Sequence, residues 1–211
     1  MEALLQKTGV VAVVVIDDAE KAVPVARALC AGGVPAIEVT LRTAAGLDAI
    51  ARIAEHVPEA SIGAGTVLSG EQVNQAIDAG SQFIVSPGCQ PQVVEQAQAA
   101  NCPVYPGVAT ATEAQAAWNM GLRILKFFPG GLAGGIPMLK ALGSVFRDVK
   151  FMPTGGVNAA NLGEYLAQPS VIACGGSWLT PASAIASGDY QTITDLAAEA
   201  VGIAQQTRNQ D

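Results

Sequence analysis

Apolar runs the length of a β-strand alternate with Ala-rich segments of helical spacing along the whole chain, and this alternation leaves few folds open. The runs are Val10–Ile16, Ala36–Thr40, Ser61–Gly65, Phe83–Val85, Val104–Tyr105, Ile124–Phe127, Lys150–Met152 and Val171–Ala173. Helical spacing marks Glu20–Ala31, Ala44–Glu55, Glu71–Ala79, Gln92–Ala100, Thr112–Met120, Pro137–Leu142, Ala160–Leu166 and Tyr190–Gln206, with a further short helix expected before the first strand. Several of these helices run into a glycine (Gly32, Gly80, Gly121), where a left-handed residue is expected to end the helix. Strands joined by helices lie parallel, with helices covering both faces of an open sheet or the outside of a closed one. Eight such units in 211 residues specify a compact (β/α)8 TIM barrel, a single domain over residues 1–211; an open doubly wound sheet is the other arrangement. The spacing of roughly 20–26 residues carries no shared consensus, which sets a solenoid aside. The polar end, Gln205–Asp211, is expected to fray.

This architecture explains a greasy composition. Half the residues are apolar, 14% are charged and the mean hydropathy is +0.36. The surplus is assigned to doubly covered strands and to a subunit interface. No apolar run reaches the ~18–20 residues of a spanning helix, and the opening MEALLQKTG has an acid at position 2 and no long apolar core, unlike a signal peptide. A cytoplasmic protein is expected. A formal charge of −7 argues against nucleic acid or an anionic membrane as partner, but leaves room for an anionic small ligand, because a site is local. Cys30, Cys89, Cys102 and Cys174 form no CxxC pair and are read as buried, reduced thiols. The one histidine, His56, cannot build a zinc cluster and belongs to a helix end, so no metal is expected.

Against that background four polar residues stand out. RILKFFPGG (123–131) sets Lys126 among Ile124, Leu125, Phe127 and Phe128. If Leu125 and Phe127 face the helices, alternation turns Lys126 into the barrel, where lost hydration disfavours its charged form and favours the free amine that attacks carbonyls. A lysine whose stem is packed and whose head reaches water is the bland alternative. In AIEVTLR (36–42), Ile37, Val39 and Leu41 share one face and Ala36, Glu38, Thr40 and Arg42 the other, which aims Glu38 inward and sets Arg42 at the upper rim. A structural ion pair would account for these two residues alone. IGAGTV (62–67) adds the hydroxyl of Thr66 beside glycines that permit close approach.

MPTGGVN (152–158) and ACGGSWL (173–179) follow the seventh and eighth strands, where barrels bind phosphate. Their Gly-Gly turns offer backbone N–H donors at helix starts, Ser177 adds a hydroxyl, and Asn158 is read as a helix N-cap. Neither loop contains Lys or Arg, so phosphate would rest mainly on neutral donors.

GGVPAIEVTLRT, PEASIGAGTVL, FIVSPG, LKFFP, FMPTGGV and GGSWL occur in an order and spacing that resemble the 2-keto-3-deoxy-6-phosphogluconate (KDPG)/KHG aldolase family over nearly the entire chain. The resemblance implies a class I, Schiff-base aldolase of the Entner–Doudoroff pathway. Such an enzyme forms a homotrimer, needs no metal or cofactor, and cleaves KDPG to pyruvate and D-glyceraldehyde 3-phosphate. Related members act on 4-hydroxy-2-oxoglutarate or the galactonate epimer. By motif, Lys126 matches the Schiff-base lysine and Glu38 the general acid/base. Arg42 and Thr66 would hold the keto acid, Pro87 and Phe128 would shape its pocket, and Gly155, Gly156, Gly176 and Ser177 would take the phosphate. Two places depart from the family pattern. Gly130-Gly131 stands where many members carry Ala-Glu, and VVVIDD, with Asp17 and Asp18, lacks the basic residue some relatives have after the first strand. Readings from other classes are a phosphosugar isomerase or synthase and a non-catalytic phosphosugar-binding barrel; neither requires a buried amine.

Overall fold

The computed structural model describes residues 1–209. A short helix, α1 (Glu2–Thr8), precedes β1 (Val10–Val14). Seven further strands follow: β2 (Ala36–Thr40), β3 (Ser61–Gly65), β4 (Ile84–Ser86), β5 (Val104–Val108), β6 (Ile124–Phe127), β7 (Lys150–Pro153) and β8 (Cys174–Gly176). Between them run α2 (Ala22–Ala31), α3 (Gly46–His56), α4 (Gly70–Asp78), α5 (Pro91–Ala99), α6 (Ala111–Asn119), α7 (Gly135–Val145) and α8 (Leu162–Leu166). The chain then adds α9 (Ala182–Ser187) and α10 (Tyr190–Arg208). Every strand pair is parallel, and the order β7-β6-β5-β4-β3-β2-β1-β8 returns the last strand to the first. Only isolated bridges, Phe151 to Val171 and Thr154 to Gly175, join β7 to β8, so the barrel is nearly closed. That return rules out the open doubly wound sheet.

Alternation builds two apolar layers. Ile37, Val39, Leu125 and Phe127 pack outward against the helices, while Val11, Phe83, Val85, Tyr105 and Met152 fill the barrel's interior. Leu5 of α1 joins the interior set, so α1 plugs the N-terminal mouth. Glu38, Thr40 and Lys126, buried polar residues of the interior face, lie toward the other, C-terminal mouth.

The eighth strand corrects the sequence reading. It lies at Cys174–Gly176, three residues beyond the expected Val171–Ala173. Val171 makes one bridge, and Ile172 and Ala173 fill the barrel floor; the ladder to β1 is formed by the smaller Cys174, Gly175 and Gly176. β1 ends at Val14, two residues before Ile16, and β5 runs through Pro106-Gly107 to Val108, three residues past the expected end at Tyr105. Gly107 keeps this segment in the sheet because a Cβ there would strike the Pro87 carbonyl.

Three smaller expectations also change. Gly80 and Gly121 adopt positive φ, but at the end of α2 it is Gly33 that does so (φ 87°), while Gly32 gives way to α10: a Cβ on it would collide with Ala197 and the Thr194 carbonyl. Asn158 caps a turn through Ala160, and Asn161 stands at the N-cap of α8. Residues 205–208 of the expected frayed tail are helical, with Arg208 donating to the Ile172 carbonyl; residues 210 and 211 lie outside the described residues. Of the four cysteines Cys174 is buried and the others are half-buried; burial and the charge of Glu59 push the Cys30 thiol up to about 11. No helix among the described residues is long and apolar enough to cross a membrane.

Candidate active site

Lys126 sits in register between Gly107 of β5 and Met152 of β7, and its side chain points into the barrel as alternation requires. The residue is 5% exposed, and Nζ lies 3.3 Å from Oε1 of Glu38, itself 1% exposed on β2. The face of Phe128 lies 5.1 Å from Nζ, ring centroid to nitrogen, within cation–π range. Glu38 owes its room to β3. A Cβ on Gly65 would occupy the place of the Glu38 carboxylate, and one on Gly63 the place of the Phe83 ring. The other carboxylate oxygen, Oε2, is buried with no hydrogen-bond partner among the described residues. Burying such an acceptor unpaired costs about 1–3 kcal/mol or more, a cost tolerated where function needs the oxygen free.

Around this pair the strand ends form a cavity of about 240 Å³ at the C-terminal mouth. Nine of the ten residues expected at the site line it: Lys126, Glu38, Arg42, Thr66, Pro87, Phe128, Gly155, Gly156 and Ser177. Gly176 does not. It is turned outward, where a side chain would collide with Trp178, and Gly175 takes its place on the wall. Alternation along β8 accounts for this: Gly175 and then Ser177 face the cavity, and Gly176 between them faces out. Arg42, exposed just past β2, places Nε 3.4 Å from the Thr40 hydroxyl. Thr66 holds φ at 59°, a left-handed conformation unfavourable for a β-branched residue and concentrated at functional positions.

Val13, Thr40, Thr154, Val157 and Gly175 also line the cavity and were not singled out from sequence. Period two carries the inward face from Glu38 to Thr40, as the sequence pattern had placed it without a role, and from Met152 to Thr154, which alternation alone could have found. Gly155 and Gly156 both take positive φ, 90° and 84°, which reserves these positions for glycine. Arg42 and Lys126 are the cations of the wall; on the β7 and β8 side it offers hydroxyls and backbone. No group of three His, Cys, Asp or Glu side chains able to hold a metal occurs among the described residues.

A buried lysine–carboxylate pair under a rim of arginine, hydroxyls and glycine turns suits covalent work on an anionic carbonyl compound, and the relatives of the chain have that character. A family model described as KDPG and KHG aldolase matches residues 1–196. The KHG/KDPG aldolase of Escherichia coli K12 is 47% identical over 200 residues, covering 95% of this chain and 94% of the relative. A crystal structure of KDPG aldolase from Legionella pneumophila, with pyruvate captured as a covalent carbinolamine intermediate, superposes with a TM-score of 0.90 at 42% identity, covering 93% and 96% of the two chains. The aldolase of Zymomonas mobilis ZM4, solved with 3-phosphoglycerate, gives a TM-score of 0.90 at 42% identity, covering 96% and 95%. With likeness of this degree running from the first strand through the last, the chain belongs to the KDPG and KHG aldolase family.

Proposed function

We propose that the protein is a class I aldolase that cleaves KDPG to pyruvate and D-glyceraldehyde 3-phosphate through a Schiff base on Lys126. The observation that carries this reading is the buried amine 3.3 Å from a buried carboxylate, inside the mouth where the phosphate-type glycine turns converge. Neutral Lys126 attacks the C2 carbonyl, and Glu38 lies within reach to move protons as the carbinolamine loses water. Removal of the C4 hydroxyl proton then breaks the C3–C4 bond. Its electrons pass into the iminium, leaving an enamine and releasing the aldehyde. Protonation of the enamine at C3 and addition of water to the resulting iminium free pyruvate and the lysine. The unpartnered Oε2 of Glu38 is the oxygen open to these transfers. Arg42 offers the planar donor pair that a keto-acid carboxylate accepts, with Thr66 beside it.

At the far end Gly155, Gly156 and Ser177 provide neutral donors for the phosphate. The absence of a cation there, together with the dual KHG/KDPG name of the E. coli relative, supports 4-hydroxy-2-oxoglutarate as a second substrate. The same reading makes the enzyme a cytoplasmic homotrimer, and the exposed Leu68, Leu132 and Val145 supply apolar surface for association. Light scattering should then give three times the chain mass of 21.4 kDa.

Incubation with pyruvate, reduction with borohydride and peptide mapping tests the chemistry. A reduced pyruvyl adduct is expected on Lys126, with cleavage insensitive to EDTA. A missing adduct, or undiminished cleavage in Lys126→Ala, overturns the proposal.

A further inference from the structure

The Gly130-Gly131 pair, where the sequence departs from the family pattern, does not line the cavity, yet it is hydrogen-bonded to the glycine turn that does. The β6–β7 ladder runs past the ends of both strands. Thr154 N–H donates to the Phe127 carbonyl at 3.0 Å, and the next parallel donor would be residue 129. Pro129 has no N–H to give. Gly130 takes over one residue later, donating to the Thr154 carbonyl at 2.7 Å, and Gly131 follows with a bond to the Gly155 carbonyl at 2.9 Å.

The second of these bonds sets the direction of a donor. The Gly155–Gly156 peptide is trans, so its C=O and N–H project from opposite edges of one plane. With the carbonyl drawn to Gly131, the Gly156 N–H is turned away from Gly131, and Gly156 itself lines the cavity. That N–H donates to no acceptor among the described residues. A carbonyl that accepts a hydrogen bond also polarises the N–H of its own peptide, by an amount of order 10–30% per bond.

We infer that the Gly131 amide is a positioning group for the phosphate subsite: by holding the Gly155 carbonyl it aims and strengthens the Gly156 N–H toward the distal phosphate. The bond stands in for part of the cationic help that this subsite lacks, and it ties the phosphate donor to the strand that carries Lys126. The inference rests on the KDPG reading, and the experiment separates the two.

Gly131 does not hold a positive φ, and a Cβ on it would meet Gly155 O and Gly156 Cα at 3.6 and 3.7 Å, ordinary contact. Gly131→Ala therefore keeps the N–H at little steric cost, and Gly131→Pro removes it. The wild-type protein tests the KDPG reading: it must trap pyruvate and cleave KDPG. Given that, Gly131→Pro should raise KM for KDPG tenfold or more, with kcat and the rate of borohydride trapping of pyruvate within threefold of wild type. Gly131→Ala should stay within threefold in all three quantities. The inference falls if the proline variant leaves KM for KDPG unchanged, if it slows pyruvate trapping as much as KDPG cleavage, or if alanine does the same damage as proline. Should the proline variant not fold, amide hydrogen exchange on the wild-type protein decides. Inorganic phosphate should slow exchange at Gly131 together with Gly156, and slowing at Gly156 with none at Gly131 overturns the inference.

Discussion

A Cβ on Gly65 would stand where the Glu38 carboxylate now lies, 3.3 Å from the lysine nitrogen, so the placing of the acid depends on an absence in the neighbouring strand. Gly65 does not hold a positive φ, and alanine fits its backbone; the collision is with a side chain that can swing away. Gly65→Ala should therefore fold but lose kcat by tenfold or more, approaching Glu38→Gln, as steady-state kinetics on both variants will show. Thr66 presents the opposite trade. Its φ of 59° costs of order 1–3 kcal/mol, and glycine there would remove the strain while adding about 0.5–1 kcal/mol of backbone entropy to be lost on folding. Thr66→Gly should gain about 1 kcal/mol, a rise in Tm of about 2–4 °C for a chain of this size, and lose kcat/KM by about tenfold with the hydroxyl. A variant that loses both stability and activity would mean that the left-handed turn is not strained.

Among the elements, the helix pair α2 and α10 shows how one substitution changes sign with its surroundings. Gly32 lies against α10, where a Cβ would strike Ala197 and the Thr194 carbonyl; Gly202, within α10, would meet nothing within 4 Å. Gly32→Ala should cost about 1–3 kcal/mol by forcing the helices apart, and Gly202→Ala should gain about 0.5–1 kcal/mol of helix propensity. Urea midpoints of the two variants measure both, and equal signs would show that the contact does not restrain the pair. Such contacts are invisible to a linear reading, which assigns a glycine at a helix end to the left-handed cap and so mistakes Gly32 for Gly33. What the linear reading does capture is whatever repeats locally. Alternation placed Lys126 and Glu38 inside because Leu125, Phe127, Ile37 and Val39 all needed the helices. It failed on β8 because hydrophobicity marks burial rather than pairing: Val171, Ile172 and Ala173 are buried at the floor, while the ladder to β1 belongs to Cys174, Gly175 and Gly176. Alternation along and just past that ladder sets Gly175 and Ser177 on the wall and turns Gly176 outward, which the motif alone did not show.

Across the whole molecule the two mouths of the barrel have separate tasks. The N-terminal mouth is closed by α1, whose Leu5 is 1% exposed and belongs to the interior cluster with Val11, Phe83, Met152 and Ile172. The C-terminal mouth carries the buried ion pair, the strained threonine and the unpartnered carboxylate oxygen, features that cost stability and that concentrate at functional sites. Truncating Leu5 to alanine removes packing from a site held between a helix and eight strands, which have little freedom to collapse into the space. The cost should be about 2–5 kcal/mol. The strands themselves are fixed by parallel ladders running around the barrel, so the cavity should stay at the floor, and Lys126 and Glu38 should keep their separation. Leu5→Ala should accordingly lower the midpoint of chemical unfolding well beyond error while kcat and KM for KDPG, measured at 25 °C where the variant is still folded, stay within twofold. If kcat fell with stability, the floor and the mouth would be mechanically one unit, and the packing at the bottom of the barrel would have to be counted among the determinants of the lysine's position.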